Sequence, residues 1–360
     1  MKKTHGTGMK FAILALGFCL VFFGSFWVGR YDVSPLQTLR ILADWLLRTL
    51  SRGRLALTQT WQAREQAVVL NVRLPRVAEA VVINVRLPRV AAAALVGAAL
   101  STAGCSYQGM FRNPMVSPDL LGASTGAGFG AALGLLFGLG YGAITGLSFG
   151  FGLLAVLLAY LISRVSKIQT TLAMVLAGVM ISSLFTSGTS FIKLVADPTD
   201  QLPAITYWLM GSLTSIKARD VQFAVLPILV GLIPLWLLRW RVNLLTVSEA
   251  EARSMGVDTT RLRVVVVLCA TLMTAGSVAI SGMIGWVGLV IPHFGRMIFG
   301  QDYRRLLPAS SLLGATFLMV VDNLARTITT SEIPLGILTS FVGAPVFLYL
   351  ILSGGTQRGD

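Results

Sequence analysis

Along this chain the apolar residues follow neither the two-residue alternation of a half-buried strand nor the three-to-four-residue stripe of a soluble amphipathic helix. They come in nearly unbroken runs of about 20 residues, the length an α-helix needs to cross a hydrocarbon core ~30 Å thick. Ten runs stand out, near 9–29, 90–110, 119–140, 143–163, 171–194, 220–240, 262–281, 283–300, 306–326 and 334–353. Glycines punctuate them: Gly140-Tyr141-Gly142 separates the third from the fourth, and Ser281-Gly282 the seventh from the eighth. The pattern predicts an all-α polytopic membrane protein with ten transmembrane helices.

Composition agrees. Of the 360 residues, 55% are hydrophobic and 12% charged, about half the charge of a soluble domain. The 37 glycines suit helices packed in lipid, where close backbone approach drives association. In "LGASTGAGFGAALG", Gly122, Gly126, Gly130 and Gly134 recur every four residues and form one packing stripe. The embedded Gly128-x-Gly130 follows no predicted strand, so it is not read as a dinucleotide fingerprint. Cys19, Cys105 and Cys269 lie far apart within apolar runs and make neither a disulfide framework nor a CxxC site.

The net charge of +14 would suggest nucleic acid in a soluble protein. Here the charges sit at the ends of apolar runs, which points to lipid headgroups and protein partners. The start, "MKKTHGTGMKF", is basic and leads into a run long enough to span, with no A-x-A cleavage site. It is read as the first spanning helix, with Lys2, Lys3 and Lys10 in the cytoplasm. Ten crossings then put both termini inside. Fifteen of the 29 lysines and arginines fall inside and fourteen outside, but ten of the fourteen lie in the single segment 30–89. That segment is at the ~60-residue limit where the positive-inside rule stops counting. Elsewhere the ratio is 15 to 4.

The segment 30–89 has two features of its own. "LRILADWLLRTL" places Leu39, Leu42, Leu46 and Leu50 at helical spacing. That fits an amphipathic helix on the outer membrane surface or a packed outer helix without lipid contact. Further on, Ala67–Glu79 reads AVVLNVRLPRVAE and Ala80–Ala92 reads AVVINVRLPRVAA. Each copy carries an arginine pair around a proline: Arg73 and Arg76, then Arg86 and Arg89. The second copy runs directly into the second apolar run.

The chain contains no GxxxxGK[ST] phosphate loop, so nucleotide hydrolysis by that route is excluded. Two histidines, His5 and His293, form no metal cage; His293 is read as a structural residue. Within the spans Asp322 is the exceptional acid, and no ionisable relay marks a proton-coupled carrier. What remains is a pore moved by a partner. The longest inner loop, Arg241–Arg263, supplies a candidate handle: Ser248 and Glu251 form a capping box at the start of a short helix, and Gly256 stands where that helix stops.

At this point the chain resembles the FecCD-type permeases, membrane subunits of type II ABC importers for iron–siderophores, haem, cobalamin and related chelates. The resemblance is carried by "NVRLPRVAAAALVGAALSTAG", "QGMFRNPMVSPDLLGASTGAGFGA", "SEAEARSMGV", "ISGMIGWVGLVIPHFGRMIFGQDYRRLLP" and "EIPLGILTSFVGAPVFLYLIL", which cover most of 84–352 in order. It implies an inverted repeat of spans two to five against seven to ten, and a homodimeric translocation pore in the bacterial inner membrane. Two cytoplasmic ATPase subunits that consume the ATP and a periplasmic substrate-binding protein are the implied partners; the chain itself is expected to bind no cofactor or metal and to be no enzyme.

The same resemblance implies residue roles. The 241–263 loop becomes the coupling loop, with Glu249, Ala252, Arg253, Met255 and Gly256 facing the ATPase. Arg86, Arg89 and Arg326 become the docking arginines for the binding protein. The fifth and tenth spans line the pathway, with Ser182, Ser183, Ser187 and Ser190 along it and Thr170 and Thr171 at an inner gate. "TSEIPLGIL" is expected to place a short helix at the outer mouth. The organisation expected is a first helix and outer segment (1–89), a permease core (90–353) and a cytoplasmic tail (354–360). The cargo expected is an iron(III)–siderophore-type chelate, with haem, cobalamin or molybdate as alternatives and a self-sufficient secondary transporter as the runner-up class. For Arg73 and Arg76 two readings stay open, a tandem duplication without a role and an extra docking patch.

Overall fold

The computed structural model describes residues 2–26, 28, 43, 82–166, 170–247, 249–329 and 331–354. The expected outer helix, the first repeat copy with Arg73 and Arg76, Ser248 and the tail beyond Gly354 lie outside the described residues. Among the described residues every regular element is a helix.

Helix α1 spans Lys2–Ser25, and a turn of π-helix at Val82–Arg86 leads into α2, Leu87–Met110. A 3-10 turn, Pro118–Leu121, precedes α3, Ala123–Leu136; α4 is Tyr141–Val165 and α5 Thr170–Val195. A short α6, Gln201–Leu209, connects to α7, Ala218–Leu237. Two short helices follow, α8 at Arg239–Thr246 and α9 at Glu249–Ser254. The last four are α10, Thr259–Ser281; α11, Val287–Phe299; α12, Tyr303–Thr327; and α13, Leu335–Gly354. Among the described residues seven helices are long and apolar enough to cross a membrane, and three shorter apolar ones, within α3, α11 and α13, accompany them. Each of the ten apolar runs of the sequence overlaps one of these helices.

The order of lengths repeats. α2 to α5 have 24, 14, 25 and 26 residues, and α10 to α13 have 23, 13, 25 and 20. In both sets the second helix is short, and its N-cap residue has positive φ: Gly122 at 86° and Trp286 at 70°. The third and eighth apolar runs are therefore not helical throughout, a correction to the sequence reading. The bend before α11, Gly282–Trp286, is as apolar as the helix itself, so hydropathy does not register it.

Glycine sets the distance between helices. A Cβ added at Gly97 of α2 would lie 2.2 Å from the Gly314 carbonyl of α12, and one at Gly104 would lie 1.9 Å from the Gly288 carbonyl of α11. At these crossings backbone rests on backbone. The predicted glycine stripe behaves the same way: Gly126, Gly130 and Gly134 pack against Phe151, Leu147 and Ile144 of α4. Gly122, in contrast, faces Ser182 of α5. No separate helix forms at "TSEIPLGIL", contrary to expectation; Ser331 to Pro334 are non-helical and α13 begins directly at Leu335.

The two ends of the bundle are separately tied. At one end Lys10 Nζ donates to the Ile298 carbonyl at 2.7 Å, Arg305 Nη1 donates to Thr7 Oγ1 at 3.0 Å, and Phe11 packs on Phe299. At the other, Asn323 Nδ2 donates to Ser25 Oγ at 2.8 Å.

Candidate functional site

At the end where α2 starts and α12 finishes, the three predicted docking arginines converge. Arg86, Arg89 and Arg326 are 3%, 5% and 8% exposed, so they do not form the solvent-facing rim that the sequence suggested. Their charges are absorbed inside the chain. Asp322, 1% exposed, takes the Arg89 fork: Nε lies 2.9 and 3.1 Å from the two carboxylate oxygens and Nη2 2.9 Å from Oδ1. Arg326 Nε lies 3.4 Å from the other Asp322 oxygen. Arg326 also donates to the carbonyls of Val28 and Ser25 and to Asn323 Oδ1, and Arg86 donates to the Phe26 carbonyl. A charge buried in apolar surroundings survives only when paired and hydrogen-bonded, and this cluster meets that condition by joining α1, α2 and α12.

A second carboxylate enters from the connection between α12 and α13. Arg89 Nη1 lies 3.0 Å from Glu332 Oε1 and 2.8 Å from Oε2. Glu332 Oε2 also accepts from Thr214 Oγ1 at 2.6 Å. Burial pushes the Glu332 carboxyl up, but the Thr214 hydroxyl and the Arg89 guanidinium outweigh it and hold the group below its ordinary value. The Thr214 loop is in turn stitched to the start of α13: Leu335 N–H donates to the Gly211 carbonyl at 2.8 Å and Gly336 N–H to that of Met210 at 3.1 Å.

At the opposite end lie α8 and α9. The short helix expected in the inner loop exists, and Gly256 ends it in the left-handed region at φ 76° with the Val257 N–H bonded back to the Ala252 carbonyl at 3.2 Å, a glycine stop. Ala252 is buried, while Met255 and Gly256 are exposed; Glu249 and Arg253 lie on the same helix. The preceding helix α8 was not foreseen. Its Asn243 clasps the turn between α11 and α12: Nδ2 donates to Asp302 Oδ1 at 2.8 Å and Oδ1 accepts from Tyr303 N–H at 2.9 Å. Arg112 Nε donates to the Leu245 carbonyl at 3.2 Å. A depression of about 520 Å³, lined by Trp240, Asn243, Leu244, Met255, Asp302 and Arg304, opens beside α9.

Between the ends, α5 turns an uncovered face outward with Ser183, Ser187 and Ser190 on it, among Leu176, Met180 and Leu184. Ser182 is set apart, half-buried against Gly122. Thr171 is half-buried at the helix start, beside Thr170. A cavity of about 620 Å³ lies where α6, the 282–286 bend and α13 meet, lined by Leu209, Met210, Met283, Gly285, Gly336, Ile337, Ser340 and Phe341. Among the described residues no cluster of His, Cys, Asp and Glu could hold a metal ion. Asn243, Asp302, Thr214 and Glu332 were not singled out from sequence; Asn243 lies in the long inner loop and Glu332 two residues before Pro334, and no local signal marks Asp302 or Thr214.

A bundle of apolar helices with a helical handle at one end, a charged cluster at the other and no phosphate loop defines a membrane permease. The chain belongs to the FecCD transport family, which matches residues 16–353, and is thus a multi-pass permease of ABC type. It is 41% identical over 334 residues to the molybdate import system permease protein of Haemophilus influenzae, covering 92% of each chain. It is 42% identical over 284 residues to an iron chelatin transport system permease protein of Helicobacter pylori, covering 79% of this chain and 82% of that one. A solved structure described as an inward-facing conformation of a metal-chelate type ABC transporter aligns with a TM-score of 0.76 at 33% identity, over 94% of this chain and 97% of that one.

Proposed function

We propose that this chain is the translocation subunit of an ABC importer for an iron(III)–siderophore-type chelate. It works as a homodimer of ten-span subunits, with both termini in the cytoplasm. In this reading the arginine cluster faces the periplasm and the substrate-binding protein, and α8–α9 face two ATPase subunits that hydrolyse the ATP. The geometry supplies a transmission line. A push on α9 reaches α8, and Asn243 passes it to the N-terminus of α12. α12 rests on α2 backbone-to-backbone at Gly97 and Gly314 and carries Asp322 and Arg326 at its far end. Rigid elements of this kind can rock between two arrangements, driven by contacts that differ between the states.

The observation that carries the cargo class is the 620 Å³ cavity, which has apolar and Ser340 side chains and no charged one. Such a wall suits the greasy periphery of a bulky chelate and offers no cation to a bare oxyanion. Molybdate is the second reading, favoured by the Haemophilus influenzae relative across 92% of both chains. Uptake into proteoliposomes holding permease, ATPase and binding protein decides between them. Accumulation of an iron-loaded siderophore but not of molybdate is expected. Molybdate uptake alone would reverse the assignment, and uptake without the ATPase would overturn the ABC mechanism.

A further inference from the structure

Helix α1 packs on the bundle chiefly along α12, and its outer face is bare: Met9, Ile13, Leu16 and Leu20 are all exposed. That apolar face begins at Met9, beside Lys10. From Lys10 to Ser25 the helix rises about 22 Å, which spans most of a hydrocarbon core ~30 Å thick and leaves Lys10 near its edge, at headgroup depth. Two cations meet there. Lys10 Nζ donates to the Ile298 carbonyl of α11, and Arg305 Nη1 of α12 donates to Thr7 Oγ1. Thr7 and Lys10 lie on one side of α1, three residues apart. Each bond occupies one N–H, of three on a lysine and five on an arginine. Among the described residues neither cation has a carboxylate within 4 Å. The sequence accounts for this: residues 1–31 contain no acid, and 287–321 contain only Asp302 against Arg296, Arg304 and Arg305. Asp302 itself is engaged by the Asn243 amide and the Arg304 backbone N–H. Beside the cations, Met297 and Ile298 are exposed apolar surface.

We propose that the junction of α1, α11 and α12 is a binding site for an anionic phospholipid, with Lys10 and Arg305 on its phosphate and Met9, Ile13, Met297 and Ile298 along its acyl chains. The uncompensated cations favour a headgroup of net negative charge over a zwitterionic one. The apolar flank, at the same depth, favours a lipid over a free phosphate ion. A lipid bound there bridges α1 to α11 and α12, where two hydrogen bonds and the packing of Phe11 on Phe299 otherwise tie them. Such a site follows from the chain's crossing a membrane, whichever cargo it carries.

The test uses the full-length permease, stripped of lipid in detergent and titrated with dioleoylphosphatidylglycerol, with bound lipid counted by native mass spectrometry. The first lipid is expected to bind several-fold more tightly than dioleoylphosphatidylcholine does. Lys10→Gln and Arg305→Gln keep a donor for Ile298 and Thr7 but drop the charge. Each should weaken that first lipid by about five-fold, the share of one basic residue at an anionic surface, and the double change by about 25-fold. Lys10→Arg and Arg305→Lys should retain the affinity; if they lose it as fully as the glutamine variants do, the effect is a broken helix tie and the site is overturned. Arg219→Gln removes an exposed cation at the start of α7 and should change nothing. An equal loss there would mean diffuse charge attraction and would also overturn the site. Equal binding of phosphatidylcholine would refute the role of the phosphate contacts, and displacement of the lipid by millimolar inorganic phosphate would reassign the two cations to a free anion.

Discussion

The Asp322 carboxylate is the acid shared by two guanidiniums that are nearly cut off from bulk water. Replace it by alanine and Arg89 loses contacts at 2.9, 3.1 and 2.9 Å, while Arg326 loses one at 3.4 Å. Both arginines stay buried, at 5% and 8% exposure; Glu332 alone then faces Arg89, while Arg326 keeps only neutral oxygens. Orphaning a buried charge costs about 3–5 kcal/mol, a factor of roughly 10² to 10³ or more in the unfolding equilibrium. Most of that cost is the stranded charge and not the lost attraction. Equilibrium unfolding in mixed micelles titrated with SDS, followed by tryptophan fluorescence, measures it. Asp322→Ala is expected to lose about 3–5 kcal/mol. A loss below about 1 kcal/mol for Asp322→Ala, the size typical of an exposed pair, would refute the claim that this cluster is a buried clamp.

Three further outcomes are expected. Gly104→Leu puts a Cβ 1.9 Å from the Gly288 carbonyl; α2 and α11 must part by about 1 Å, and the same unfolding assay should show a loss of roughly 1–3 kcal/mol or more. Gly256→Val meets open space but forces a β-branched residue to φ 76°, a strain of about 1–2 kcal/mol that loosens the end of α9. Stimulation of the ATPase by the binding protein should fall several-fold while binding-protein affinity stays as in the wild type. Glu332 titrates below its ordinary value, so its contribution is full above the normal carboxylate range and is lost only as pH falls through that depressed value. The melting-temperature gap between wild type and Glu332→Gln should hold constant from pH 8 to 5, given an unperturbed Glu near ~4.3, and close only in stronger acid.

Much of this architecture is legible in the chain because crossing a membrane is a local requirement: every backbone group must be satisfied within its own helix. Seven of the ten apolar runs hold helices long enough to cross for that reason, and the glycine period of four gave the α3–α4 contact. Where the fold depends on distant groups, local pattern fails. The bend before α11 forms because Gly282, at φ 67°, lies against the Trp208 carbonyl, and nothing within 283–300 announces that neighbour. α8 was absorbed into a span and a loop because its role, the Asn243 clasp on Asp302, joins residues 59 apart. The arginine cluster lies between these cases. Its partner stands 233 residues away, yet Asp322 was already the exceptional acid among the apolar runs, and an ionisable residue there demands an opposite charge. The outer ends of the second and ninth spans offered Arg86, Arg89 and Arg326 and few other cations. The sequence reading did not follow that demand: it left Asp322 without a partner and turned the three arginines toward a docking protein, whereas the structure buries them against Asp322. The feature that charge balance does not reach is Glu332, because a residue in a connection is free to face water and only its distance to Arg89 shows that it does not.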